Sequence, residues 1–142
     1  MKTLFSAMII ATSAFSASAA TLSLPSSVWA TSLNGEPVSP FASELPIGNG
    51  TQVVELRYSE LLQLNPEDHE MVTSAPLYLS FNEDGSEQYQ LLLPDLEDEQ
   101  AVRQFAAKPR FTLRSEHGTL TSSQLGLSDM LVAFARMQAQ HH

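Results

Sequence analysis

Cysteine is absent from all 142 residues. That absence removes disulfide bonding, a thiolate nucleophile and the lipidated cysteine of a lipoprotein anchor. The fold must instead be held by a hydrophobic core, which a 43% apolar composition can supply. Basic residues are scarce too: seven Lys and Arg stand against sixteen Asp and Glu, for a formal net charge of −9. Nucleic acid and anionic lipid are poor partners for such a surface, because binding them needs clustered cations that release counterions. A basic partner fits this charge, but the charge does not demand one.

Long hydrophobic runs are missing beyond the N-terminus. The single such run extends from Leu4 to about Phe15, after Met1-Lys2-Thr3 and before Ser16-Ala17-Ser18-Ala19-Ala20. It is shorter than the roughly 20 residues that a bilayer-spanning helix needs. One positive charge, a short apolar run and a small-residue end are the parts of a secretory signal peptide. Residues 1–19 are therefore read as that signal, cleaved after Ala19 with Ala20 as the alternative. The expected compartment is the periplasm of a Gram-negative bacterium, with no membrane insertion of the mature chain. Loss of Lys2 deepens the formal charge from −9 to −10. Residues 20–142 then form one domain, since no internal repeat or long linker divides them.

Catalytic signatures are also lacking. There is no Gly-x-Ser-x-Gly, no Gly-rich phosphate loop and no His-Glu-x-x-His. The chain is read as non-enzymatic, with no catalytic, cofactor-binding or metal-ligating residue assigned and no cofactor. A hydrolase with a non-sequential Ser, His and Asp site is the third-ranked alternative.

What is present reads as short strands separated by turn signals, the pattern of an all-β chain. Thr21–Leu24 and Val28–Leu33 are the first strands, and Asn34-Gly35 is a tight turn whose residues tolerate positive φ. Pro37 and Pro40 confine their segment to extended or edge positions. Gly48-Asn49-Gly50 is a second turn. In Thr51–Tyr58, the residues Val54, Leu56 and Tyr58 alternate with Glu55 and Arg57, giving one apolar and one wet face. Ser59–Leu64 either continues that strand with a bulge or forms a loop, and Asn65–Glu70 reads as a polar turn. Leu77–Phe81 and Gln88–Leu93 are expected to pair as a hairpin around Asn82-Glu83-Asp84-Gly85-Ser86. Arg110–Arg114 is a further strand, followed by a turn at Glu116-His117-Gly118.

Two helices complete the reading. Residues 96–107 lack Gly and Pro, with acids Glu97, Asp98 and Glu99 early and Arg103 and Lys108 late, as a helix dipole favours. Leu96, Val102 and Phe105 are expected to turn inward. The final helix starts at about residue 128 with Ser128 as N-cap. Its stripe of Leu127, Met130, Leu131, Phe134 and Met137 is expected to pack on the sheet as core rather than meet a partner. The fold class is thus mainly β: one small antiparallel β-sandwich-like domain, a short helix and a C-terminal amphipathic helix.

Several clusters have a chemical and a structural reading. His69 among Glu67, Asp68 and Glu70 superficially suggests a metal site, but neighbours in a turn cannot converge on one ion. Asn82-Glu83-Asp84-Gly85 has calcium-loop chemistry without the long ligand loop or its closing glutamate. Asn49-Gly50-Thr51 is formally a glycosylation sequon, and the turn explains it. Glu97-Asp98-Glu99 suits a helix first turn. His141-His142 is either native or the stub of a tag.

The order of segments carries a resemblance. Leu33-Asn34-Gly35-Glu36-Pro37-Val38, the Gly50–Tyr58 strand, Leu92-Leu93-Pro94-Asp95-Leu96-Glu97-Asp98-Glu99 and Phe105-Ala106-Ala107-Lys108-Pro109-Arg110-Phe111 resemble the YccT-like family of bacterial periplasmic proteins. Most of its members are uncharacterised, and one is an inhibitor of curli assembly. The likeness covers about Thr21 to Thr119; longer members continue past the point where this chain stops. The early part also resembles small PEGA-type β-sandwich modules of cell-envelope proteins. The resemblance implies a binding or regulatory protein that restrains a secreted amyloid of the curli type. The alternative is an envelope module that binds peptidoglycan, polysaccharide or an outer-membrane protein. The resemblance supplies no catalytic residue.

Overall fold

The structure, a computed structural model, describes residues 20–140. The expected signal peptide and His141-His142 lie outside the described residues. In chain order the elements are β1 (Ala20–Ser23), β2 (Val28–Leu33), β3 (Glu36–Pro37), β4 (Glu44–Ile47), β5 (Thr51–Asn65), β6 (Asp68–Thr73), β7 (Leu77–Asn82), β8 (Gln88–Leu92), α1 (Glu99–Ala107), β9 (Thr112–Ser115), β10 (Gly118–Leu120), β11 (Ser123–Gly126) and α2 (Leu127–Ala139). The expected mainly β architecture with two helices is what forms.

Two sheets build the sandwich. One has the order β10-β9-β8-β1-β4, the other β11-β7-β5-β2-β3, with β6 attached to β5 alone. The period-two pattern decides what is inside. Leu22, Leu45, Ile47, Tyr89, Leu91 and Leu113 come from the first sheet, and Val28, Ala30, Val54, Leu56, Tyr58, Leu77, Leu79 and Phe81 from the second. Phe81 and Tyr89 meet across the layers with ring centroids 5.6 Å apart. Pairing is antiparallel except between β1 and β8, where Leu22 aligns with Tyr89 in a parallel register. A parallel neighbour needs a long crossover, and here the intervening chain builds most of the second sheet.

Local chemistry accounts for the turns. Asn34 (φ 52°) and Gly35 (φ 83°) both take positive φ, so the β2–β3 connection twists with its strands. Pro37 and Pro46 lie on the edge strands β3 and β4, where a missing N–H costs no interior ladder bond. Gln52 is 1% exposed, and its side chain ties the two turns together. It accepts from Asn34 Nδ2 at 2.7 Å and from the Gly48 N–H at 3.3 Å, and donates to the Asn49 carbonyl at 3.1 Å.

Four expectations need correction. Leu77–Phe81 and Gln88–Leu93 do not form a hairpin: β7 pairs with β5 and β11, while β8 pairs with β1 and β9. Each strand has one apolar face, and the two faces oppose each other across the core instead of lying side by side. The first helix begins at Glu99, because the Asp98 carboxylate accepts the Ala101 N–H at 2.8 Å and caps it there. Leu96 precedes the helix and packs against the core from the loop. The last helix starts at Leu127, directly after β11, so Ser128 is inside it and Gly126 is the N-cap. None of its residues is buried, and Leu127, Leu131, Phe134 and Met137 stand exposed, so the stripe is not core.

Candidate functional site

The longest feature of the fold is a β-hairpin that outgrows its sheet. β5 runs for 15 residues, and β6 and β7 follow each other along the same side of it. The near half pairs Thr51 with Asn82 through Leu56 with Leu77, inside the sandwich. The far half pairs Ser59 with Thr73 through Gln63 with His69, beyond it. Ser74 joins the halves: its N–H donates to the Tyr58 carbonyl at 2.8 Å, and its hydroxyl oxygen accepts the Tyr58 N–H at 2.9 Å. Ser59–Leu64 therefore continues the strand, with an irregularity between Gln63 and Asn65. The turn expected at Asn65–Glu70 narrows to Pro66-Glu67, and Asp68–Glu70 is strand.

Beyond the sandwich both edges of this ribbon lack a strand partner among the described residues. On the β2 side the last bond runs from the Ser59 N–H to the Ser27 carbonyl, at 2.9 Å. No described strand pairs with β6 on its outer side, since β11 reaches only Leu77–Ser80 of β7. In an antiparallel ladder, backbone groups alternate between facing the partner and facing away. Tyr58 faces Ser74 and Ser59 faces outward, so Leu61 and Gln63 of β5 and His69, Met71 and Thr73 of β6 point their backbone groups away from the ribbon. Leu61 and Met71 also oppose each other in register and are 56% and 58% exposed. The ribbon thus offers unsatisfied backbone donors and acceptors beside an apolar cross-strand pair.

Helix α1 braces the opposite face. Phe105 stacks edge-on against Tyr58 (centroids 4.8 Å apart) and against Phe111 (5.4 Å). Arg103 holds both carboxylate oxygens of Glu70 on β6 and also bonds Glu99 one turn back at 2.9 Å. The hydrogen bond from Arg103, and then its charge, keep the Glu70 carboxyl below its ordinary range. An exposed pair such as this fixes geometry more than it adds stability.

The clusters singled out in the sequence fall into place as follows. His69 is on β6 and points to the ribbon's outer face, whereas Glu70 turns to Arg103, so these neighbours diverge. Asp84 is the inter-sheet corner. Its carboxylate accepts from the Ser115 hydroxyl, from the Tyr89 hydroxyl at 3.0 Å and from the Ser86 N–H at 3.0 Å. The Ser115 bond above all holds the Asp84 carboxyl well below the usual range. Both oxygens are thus engaged with protein groups in a loop that resembles a calcium site only in composition. Thr51 of the sequon donates its hydroxyl to Asn82 at 2.6 Å. Asp98 caps α1 and Glu99 meets Arg103. No set of three or more His, Asp or Glu among the described residues is placed to hold a metal ion.

Two features escaped sequence reasoning. β6 reads Asp-His-Glu-Met-Val-Thr, without an apolar face, because α1 covers one side only thinly and solvent covers the other. Gln124 of β11 pairs its amide with the backbone of Phe111, accepting its N–H at 2.7 Å and donating to its carbonyl at 2.8 Å, which latches the two sheets together. A lone Gln in a polar run gives no local signal of such a role. No helix among the described residues is long and apolar enough to cross a membrane.

In comparison with known proteins, the model of a family described as "Uncharacterized protein conserved in bacteria (DUF2057)" fits residues 21–137. This is the YccT-like family whose segment order the sequence resembles, and the match runs past Thr119 into α2. No curated protein and no solved structure matches the chain.

Proposed function

The chain belongs to this uncharacterised bacterial family, and from that premise we propose that it is an exported, non-enzymatic binding protein that restrains assembly of an extracellular, curli-type amyloid. The observation that carries the reading is the β5–β6 ribbon, whose two edges lack a strand partner among the described residues. A fibre end presents the same unsatisfied ladder, so the ribbon adds to it as one more strand pair. The apolar Leu61–Met71 pair meets a fibre side chain, and the strongly negative surface then opposes stacking of the next subunit. Extended edges are usually blunted by charge or proline. Here β3 and β4 carry proline, whereas β6 has no proline and its charges are Asp68, at the turn, and Glu70, which is turned to Arg103.

Fibre growth of curli-type subunits with substoichiometric protein tests this. The expected result is a longer lag and a lower yield, lost in Met71→Pro, which removes an outward N–H and leaves the bonds to β5 in place. Unchanged lag with the wild-type protein contradicts the proposal.

A second reading, an envelope module binding cell-wall polysaccharide, is favoured by a cavity of about 500 Å³. It is walled by Trp29, Phe41, Pro25 and Pro40, with Phe41 94% exposed. The resemblance of the early sequence to PEGA-type modules supports the same reading. Retention on isolated cell wall that is lost in Trp29→Ala, with no effect on fibres, would favour it.

A further inference from the structure

The turn before β5 carries an Asn-Gly pair with chemistry of its own. An asparagine followed by glycine can close on itself: the glycine backbone nitrogen, once deprotonated, attacks the side-chain amide carbon, and ammonia leaves. The sequence has four asparagines, Asn34, Asn49, Asn65 and Asn82. Asn65 precedes Pro66, which has no N–H to lose, and Asn82 precedes Glu83, whose Cβ crowds the attacking nitrogen. Two Asn-Gly pairs remain, Asn34-Gly35 and Asn49-Gly50, with the same intrinsic chemistry.

The fold treats these two pairs differently. Asn34 is held at both atoms of its amide: Nδ2 donates to Gln52 Oε1 at 2.7 Å, and Oδ1 accepts the Val53 N–H at 2.8 Å. Both bonds must break before its amide carbon can turn toward Gly35. Asn49 is exposed, and its side chain has no hydrogen-bond partner among the described residues. Rotation about its own side-chain bonds is enough to bring its amide carbon to the Gly50 nitrogen. The peptide unit joining Asn49 to Gly50 is also polarised from both sides. Its carbonyl accepts from Gln52 Nε2 at 3.1 Å, and its N–H donates to Glu83 Oε1 at 3.4 Å. The first contact makes the Gly50 proton more acidic, and the second sets a carboxylate where that proton must go. Gly50 stands at φ 80°, and no atom beyond its chain neighbours lies within 4 Å of where a Cβ would be, so its nitrogen is open. The related pair Asp84-Gly85 is closed to this reaction. Its carboxylate accepts from Ser115, Tyr89 and the Ser86 N–H, and an ionised carboxylate is a poor electrophile.

We propose that Asn49-Gly50 is a self-modification site, at which the folded chain converts Asn49 to aspartate and isoaspartate through a cyclic imide. Glu83 takes the Gly50 proton, the nitrogen bonds to Asn49 Cγ, and the Cγ–Nδ2 bond breaks as ammonia departs with that proton. Water then opens the imide. Attack at the side-chain carbonyl gives aspartate, and attack at the backbone carbonyl gives isoaspartate. Either product adds a negative charge close to Glu83, and isoaspartate also lengthens the backbone between β4 and β5 by a methylene. Both changes oppose the Gln52 contacts that tie Gly48 and Asn49 to β5.

The test is incubation of the purified protein at neutral pH, folded and in concentrated urea, with peptide mapping by mass spectrometry and enzymatic methylation of isoaspartate. In the folded protein Asn49 is expected to convert about tenfold or more faster than Asn34, because two hydrogen bonds of ordinary strength raise the Asn34 barrier by at least that factor. In urea the two pairs are expected to convert at the same rate. Glu83→Gln removes the proton acceptor and is expected to slow Asn49 several-fold in the folded protein, with no change in urea. The wild-type comparison decides the matter alone if that variant does not fold. Equal rates at Asn34 and Asn49 in the folded protein overturn the proposal. So does an Asn49 that persists in the folded protein while converting in urea. The site precedes β5 and the ribbon lies at the far end of that strand, so conversion of Asn49 and fibre growth are independent readouts.

Discussion

Replacing Phe105 by alanine removes the side chain that docks α1 onto the sandwich and, through it, supports the ribbon. Phe105 is 7% exposed and sits between two rings, Tyr58 and Phe111, at nearly perpendicular angles of 83° and 87°. A buried Phe→Ala change costs about 3–5 kcal/mol, from lost transfer energy and the cavity left behind. Two edge-to-face pairs, each contributing about 0.5–1.5 kcal/mol, are part of that total and put this site in the upper half of the range. Collapse offers little relief, since Val102 and Ala106 are the other buried residues of the helix. For a chain of this size the loss corresponds to a fall in Tm of roughly 10–20 °C. Urea unfolding followed by circular dichroism reads the free energy, and amide exchange reads its location. Exchange should accelerate first in α1 and the far half of β5–β6, while β8 and β9 keep their relative protection. A loss below about 1 kcal/mol would mean that the docking of α1 does not depend on this contact.

Other perturbations follow from the same structure. Asp84 has a folded pKa depressed below its ordinary value of 3.8, mainly by the Ser115 hydroxyl. Its contribution is therefore fully present above that value and is lost as pH falls toward the folded pKa. Asp84→Asn should flatten the acid limb of a urea-midpoint profile below about pH 4, and an unaltered limb would show that the corner is not a source of acid sensitivity. Gln52→Ala breaks three hydrogen bonds at the end of the sandwich and should cost about 2–3 kcal/mol by chemical denaturation. Gly35→Ala forces a Cβ into a backbone at φ 83° and should cost about 1 kcal/mol, although open space surrounds it. Glu70→Gln should barely move the midpoint at physiological salt, as expected for an exposed ion pair.

Sequence reasoning succeeded where one residue pattern had one physical outcome. Val54, Leu56 and Tyr58 could only face a core, and Asn34-Gly35 could only turn. It failed where the outcome depended on a distant partner. Leu77, Leu79 and Phe81 announce an apolar face, but the same face serves a hairpin neighbour or an opposing sheet, and the Asn82–Ser86 turn chemistry fits both. β6 was invisible because its ladder to β5 and the Arg103 contact to Glu70 hold it, rather than burial of its own side chains. The α2 stripe was legible as a stripe, yet nothing local says whether an apolar stripe is covered. The ribbon edges were hidden for the same reason: an edge is defined by the absence of a neighbour, and neighbours are set by topology. Gln52 and Tyr58, one satisfied and one orphaned, differ only in what the fold brings to them.

The measurement that bears most directly on edge capture is residue-resolved amide exchange with and without growing curli-type fibre ends. Edge capture predicts selective protection of the outward amides of Leu61, Gln63, His69, Met71 and Thr73, with little change at the inward amides of Glu70 and Val72. Protection confined to β10, β11 or α2, or none anywhere, would contradict it.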